Sequence, residues 1–275
     1  MSKHSVSKTN IFGIEVNDLS PEELIRTIVD MAKGDTKRKV YHVNLHILNI
    51  AYFCPRFRSS LGNADLVFCD GFGVLLALYL LGKRLYYRNT VPDWIDGLAE
   101  VAGSEKVSFF LLGNEEGVTL KAAQIMSDKH PNLQIVGTHH GFFSKKGPEN
   151  DLLVSKINDT SPDILFVGMG VPMQEFWIDE NIHRLSAKVF FAVGATFRWY
   201  SGVEKRVPRW VTDHGFEWLA RLTRHPVKLF RRYVIGNPLF FARFAKTYWL
   251  KHDLPSKCDK PVMSDCSEKC LFYRR

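Results

Sequence analysis

The chain has 275 residues, 45% of them hydrophobic and 24% charged, a balance that excludes a disordered or fibrous protein. Its formal charge is +8, from 37 Lys and Arg against 29 Asp and Glu. Eleven cations against three acids lie between Gly202 and Lys251, leaving 26 of each sign elsewhere, so a basic C-terminal segment sits on a neutral body and suits a polyanionic partner.

The N-terminal stretch MSKHSVSKTN is polar and no apolar run follows it, which predicts no signal peptide. From Ile11 to about Val193, short apolar runs alternate with amphipathic stretches, the pattern of an α/β domain. Ser20 is placed to cap a helix opened by Pro21. Val40 to Asn44 reads as a strand, and Ile47 to Leu61 as a helix that Pro55 must bend or divide. A strand at Asp65 to Cys69 ends on Asp70-Gly71, and Val74 to Leu81 is too short an apolar run to span a bilayer, which takes roughly 20 residues. Lys106 to Leu112 is a buried strand whose glycine turn, Gly113 to Gly117, leads to a helix near Val118. Leu133 to Val136, Asp163 to Val167 and Lys188 to Val193 are further strands, each followed by glycine. His139 and His140 have no partner at metal-ligand spacing and read as a surface loop. After Gly202, short helices broken by Pro226 and Pro238 interleave aromatics with cations.

These elements predict a Rossmann-like parallel sheet with helices on both faces, plus a C-terminal basic helical appendage. The expected division is an α/β catalytic core over 1–201, an appendage over 202–251 and a polar, disordered tail over 252–275. Five cysteines, an odd number, argue against a disulfide framework, and Cys258, Cys266 and Cys270 lack metal spacing, so a cytosolic protein is expected.

In a parallel sheet the ligand lies at the carboxyl ends of the strands. That directs attention to Asn44, Asp70, Gly113 to Gly117, Gln174 and Gly194 to Gly202. Asp70, on the turn Asp70-Gly71-Phe72-Gly73, is placed either as a general base or as an N-cap for the following helix. Gly113-x-x-x-Gly117 could cradle a phosphate at a helix N-terminus or serve as a plain turn. Lys205-Arg206 occupies a loop bounded by Gly202 and Pro208, which suits a diphosphate or a solvated surface. No Asp-x-Asp occurs, so any bound phosphates must be met by arginines and helix N-termini, and no metal or other cofactor is expected. Nor is there a Gly-x-Gly-x-x-Gly with a ribose-binding acid, which ranks a nicotinamide oxidoreductase last. A nucleic-acid-binding protein would explain the basic, aromatic segment but not the polar residues at the strand ends.

The ordered set Asn44, Asp70-Gly71-x-Gly73, Arg88, Leu112-Gly113, Pro131 with Ile135-Val-Gly137, Gly141-Phe-Phe, Val167-Gly-Met-Gly-x-Pro-x-Gln-Glu175, Val193-Gly194, Gly202-x-x-Lys-Arg-x-Pro208 and Gly215-x-Glu-Trp-x-x-Arg221 resembles the WecG/TagA/CpsF glycosyltransferases. The resemblance runs from about Ile11 to Tyr233. It implies inverting, metal-independent transfer of an N-acetylmannosamine-type sugar, its uronic acid or a hexose. The implied donor is a UDP-sugar, and the implied acceptor is a polyprenyl-diphosphate-linked saccharide on the inner face of the cell membrane. It makes Asp70 the base. Asn44, Gly71, Arg88, Gly113 and Gln174 become substrate-cleft residues, Arg206 a motif cation, and Arg221, Lys228 and Arg231 tail cations over the diphosphate. The implied partners include an anionic membrane surface but no nucleic acid, and a homo-oligomer is left open. Two departures stand out. His42-Val43-Asn44 replaces the family's Thr-Pro-Asn, and Phe197-Arg198 replaces its Phe-Asp, placing a cation where a donor carboxylate could pair.

Overall fold

The computed structural model describes residues 7–207, 211–212 and 214–256, the side chain of Lys228 excepted. Pro208, Arg209, Trp210 and the cysteines at 258, 266 and 270 lie outside the described residues.

Eight strands form one sheet in the order β1-β2-β4-β3-β8-β7-β5-β6. They are β1 Ser7–Ile11, β2 Ile14–Asp18, β3 Arg38–Val43, β4 Leu66–Cys69, β5 Ser108–Gly113, β6 Gln134–His139, β7 Ile164–Gly168 and β8 Val189–Ala192. All neighbours run parallel except β1 and β2. That antiparallel hairpin was not foreseen. Its turn puts Phe12 at φ 53° and Gly13 at φ 80°, the doubly left-handed pair of a tight hairpin. A phenylalanine there is strained, and the burial of its ring, only 1% exposed, offsets the cost.

Helices cover both faces. α1 Pro21–Lys33 starts where expected, with Ser20 and Glu23 forming a reciprocal capping box worth about 1 kcal/mol. Pro55 does divide the next helix, into α2 Leu45–Phe53 and α3 Pro55–Gly62. α4 Phe72–Tyr79, α5 Val91–Ser104, α6 Val118–Lys129, α7 Pro148–Thr160, α8 Met173–Asn181 and α9 Thr196–Tyr200 follow. The parallel strands alternate their contacts between two cores. On β5, Phe110 and Leu112 join the side holding Ile47, Phe57, Trp177 and Phe240, whereas Phe109 and Leu111 join Leu24, Ile28, Trp94 and Leu98. Strands buried on both faces are why the sequence shows continuous apolar runs.

The C-terminal segment forms α10 Glu217–Arg224, α11 Pro226–Phe230, a π-helical turn Arg231–Ile235 and α12 Gly236–Tyr248. Pro226 opens a helix. Pro238 lies in the first turn of α12, and the break between α11 and α12 is the π-helical turn just before it. His139 closes β6 instead of lying in a loop. α12 is joined to the body: Phe240 and Phe244 are buried, and Phe12 packs edge-on to both at 5.8 and 6.5 Å. The Phe12 N–H donates to Tyr248 Oη at 2.7 Å, and Arg243 donates to Asn49 Oδ1 at 2.6 Å. Within the described residues, no helix is long and apolar enough to cross a membrane.

Candidate active site

Three adjoining chambers line the carboxyl ends of the strands and share residues, so they form one groove. The outer chamber holds about 340 Å³ and the far one about 610 Å³, both in the range of small-molecule sites.

Asp70 belongs to the outer and middle chambers. Its backbone N–H donates to Val43 O at 2.8 Å, which anchors the end of β4 beside β3. Gly71, at φ 142°, then turns the chain into α4 and is itself the cap residue, with no side-chain cap bond. The capping alternative for Asp70 therefore fails, and its carboxylate faces the groove. Gly73 permits the close approach of α4 to α2, since a Cβ there would meet Leu45 Cδ1 at 2.4 Å.

Asn44 lines the same two chambers, with its Oδ1 accepting from Ile47 N–H at 3.1 Å to cap α2. Arg88 lines the outer chamber and donates to Thr212 O at 3.1 Å. Arg206 pairs with Asp93 at 2.7 Å, and Arg88 approaches the same carboxylate at 3.9 Å. Arg206 thus stands behind Arg88 and does not line the groove.

Arg221 does line it, with its guanidinium 4.9 Å from the Trp199 ring centroid and 3.9 Å from both Glu204 and Glu217. The carboxylate of Glu217 is in the same chamber, its pKa raised by burial and by Asp70. Sequence reasoning placed Arg231 over this site, but the structure leaves Arg231 exposed and outside the groove. Its neighbour Arg232 lines both chambers. The buried Nε atoms of Arg221 and Arg232 meet no hydrogen-bond acceptor among the described residues, and burial lowers the Arg232 pKa. Two half-buried, incompletely partnered guanidinium groups beside a carboxylate make a receptor for an anion. Lys228 lies on α11, its side chain outside the description.

His42 and His46 were not among the expected site residues, yet both line the middle chamber. His42 Nε2 lies 3.7 Å from Asp70 Oδ2.

The far chamber is floored by bare backbone. A Cβ on Gly113 would strike Gly168 O at 2.4 Å, and one on Gly168 would strike Gly194 O at 2.7 Å. Gly113 serves this close packing and is not itself part of the chamber lining. Gln174, expected to face a substrate, is fully buried instead. Its Oε1 accepts from Gly170 and Gly194 N–H, both at 3.1 Å, and its Nε2 donates to Glu175 at 2.8 Å. It ties two groove loops together, and its amide has no face toward a ligand. Arg198 does line the far chamber, ion-paired with Glu115 and, at 3.4 Å, with Glu204. Among the described residues, no three His, Cys, Asp or Glu cluster as a metal site would require.

The model of the Glycosyl transferase WecG/TagA/CpsF family matches residues 9–253. Among curated proteins, N-acetylglucosaminyldiphosphoundecaprenol N-acetyl-beta-D-mannosaminyltransferase of Staphylococcus aureus strain MRSA252 is 26% identical, over 89% of this chain and 94% of its own. The proteins of the same name from strains MW2 and NCTC 8325 are each 25% identical over the same shares. With its family model spanning nearly the whole described fold, the chain belongs to the WecG/TagA/CpsF family of glycosyltransferases.

Proposed function

We propose that the protein transfers a sugar from a UDP donor to a saccharide carried on a polyprenyl diphosphate, by a single inverting displacement without a metal. The sugar is N-acetylmannosamine, its uronic acid or a hexose. The relatives' names specify an N-acetylmannosaminyl group and a diphosphoundecaprenol-linked N-acetylglucosamine. The observation that carries the reading is the Asp70 carboxylate opposite the incompletely partnered guanidinium groups of Arg221 and Arg232, in one groove at the strand ends.

In this reading Asp70 takes the proton of the acceptor hydroxyl as its oxygen attacks the anomeric carbon, a contribution of typically 10²–10⁴-fold. The bond from that carbon to the diphosphate breaks, and Arg88, Arg221 and Arg232 offset the charge that develops there. The glycine-floored chamber beside Arg198 takes the nucleotide.

The acceptor's lipid stays in the bilayer, so residues 202–251 serve as an appendage that brings the site to the inner face of the cell membrane. Val227 is 91% exposed, with Phe230, Val234, Ile235 and Trp249 also exposed beside Arg224 and Arg231. Basic and aromatic side chains in such a patch suit an anionic headgroup layer. The reading is tested with purified full-length protein, a panel of UDP-sugars and a polyprenyl-diphosphate-N-acetylglucosamine acceptor, with and without excess EDTA. Transfer that persists in EDTA, with inverted anomeric configuration, supports it. Restoration of lost activity by Mg²⁺ or Mn²⁺, or no transfer from any UDP-sugar, overturns it.

A further inference from the structure

His42 sits on β3 directly across from Phe68, two residues before Asp70. Its ring is buried, with Nδ1 3.1 Å from the carbonyl of Ala192 on β8. A carbonyl only accepts, so Nδ1 carries the proton. The neutral ring then presents its bare Nε2 lone pair to Asp70 Oδ2, at 3.7 Å. Burial and the positive charge of Arg232 favour that neutral form and outweigh the pull of Asp70, so the imidazole pKa is lowered. Asp70 reaches it from the end of β4, Arg232 from the π-helical turn, and His46 and Arg221 share the middle chamber's lining. β8 offers only the Ala192 carbonyl at Nδ1.

Two acceptors facing each other with no proton between them form an arrangement waiting for one. We propose that His42 acts through Asp70, receiving at Nε2 the proton that the Asp70 carboxylate takes from the acceptor hydroxyl. The proposal rests on the reading of Asp70 as the base, and deepens it. In the first step the acceptor O–H bond breaks, an Asp70 O–H bond forms, and the freed electron pair on oxygen bonds to the anomeric carbon. The electron pair of the breaking anomeric bond leaves with the diphosphate. In the second step the Asp70 O–H bond breaks and an Nε2–H bond forms, giving an imidazolium whose Nδ1–H still donates to Ala192. Asp70 is again a carboxylate, and the middle chamber gives the imidazolium a route to lose its proton to water.

The test compares His42→Asn, His42→Ala and Asp70→Asn. Asparagine places its amide N–H near the former Nδ1, keeping the Ala192 bond while removing everything at Nε2. Both His42 variants should keep the thermal shift produced by UDP and lose about tenfold or more in kcat. A further signature separates the proposal from simple loss of packing. In the native protein, protonating His42 pairs it with Asp70 and disables the base, so the acid limb of kcat/KM belongs to the pair. Without the imidazole that limb should move, because a single group then governs it. Loss in His42→Ala with recovery in His42→Asn would assign the residue to the Ala192 bond alone and overturn the proposal. So would His42 variants with native kcat and an unmoved acid limb beside an inactive Asp70→Asn, which would leave the base assignment standing. Near-native turnover in Asp70→Asn would remove both.

Discussion

The guanidinium of Arg221 lies 4.9 Å from the centre of the Trp199 ring, so a residue from the basic C-terminal segment rests on one from the α/β body. That contact orients Arg221 into the groove while its Nε lacks an acceptor among the described residues. A ligand diphosphate would supply one.

Arg221→Ala and Arg232→Ala should each lower kcat/KM by about ten- to a hundredfold, the worth of one charge-assisted hydrogen bond. Arg221→Lys should recover only part of the loss, because an ammonium lacks the planar fork and stacks less well on the indole. Arg231→Ala, altering an exposed residue outside the groove, should cost far less than Arg232→Ala in steady-state assays using a detergent-solubilised acceptor.

Arg198→Ala should raise the donor KM several-fold with kcat nearly unchanged. Removing this cation leaves Glu115 and Glu204 without their shared partner beside the far chamber, where they repel an anionic nucleotide. Because both acids already engage the guanidinium, neutral and uronic UDP-sugars should suffer alike. A selective loss of the uronic donors would show instead that Arg198 reads the sugar's carboxylate.

Stability should depend on pH through Glu175. Its carboxyl is buried, and burial pushes its pKa up to about 8 from the ordinary 4.5. Between those values the folded chain holds a proton that the unfolded chain releases. Stability is therefore full at the acid end of the window and falls as pH rises, by at most about 1.4 kcal/mol per pH unit. Glu175→Gln should flatten this slope, as measured by urea unfolding at several pH values between 5 and 8.

Val227→Asp combined with Ile235→Asp should abolish flotation with anionic vesicles while leaving the thermal midpoint close to native, since both side chains are exposed. High salt should release the native protein, because attraction to surface charge is screened within about 8 Å at physiological ionic strength. Recovery of the double variant with lipid equal to native would remove the membrane role from this face. Point substitutions suit the question better than truncation at Gly202, which would strip Phe240 and Phe244 out of the core.

The strands and the position of the groove were readable because the buried strands are apolar runs that stop on a polar residue or a glycine. The β1–β2 hairpin was not, since its first strand buries only Thr9 and Ile11 among polar neighbours. Gln174 was misread because the sequence shows an amide near a strand end but not which way it turns. Arg231 and Arg232 differ by one position, and helical neighbours point in directions about 100° apart. The π-helical turn at Arg231–Ile235 sets their phase, and the apolar pattern carries no sign of it. His42 stood out as a departure. Its partner lies 28 positions on, and only the pairing of β3 with β4 brings the two together.

The seating of Phe12 among Phe240, Phe244 and Tyr248 has a consequence for how the protein comes into being. Phe12 completes its packing only against residues made much later, Tyr248 lying 236 positions on. While synthesis is under way, the hairpin at the sheet edge lacks α12 as its lid, and Tyr52 is the aromatic partner left to offset its strained turn. Contacts of such long sequence separation form late and slowly, so a nascent chain should remain partly open and prone to stick until α12 is released. The same closure delays the ordering of Arg232, just upstream of α12, so that the anion-binding groove should mature only once α12 has emerged.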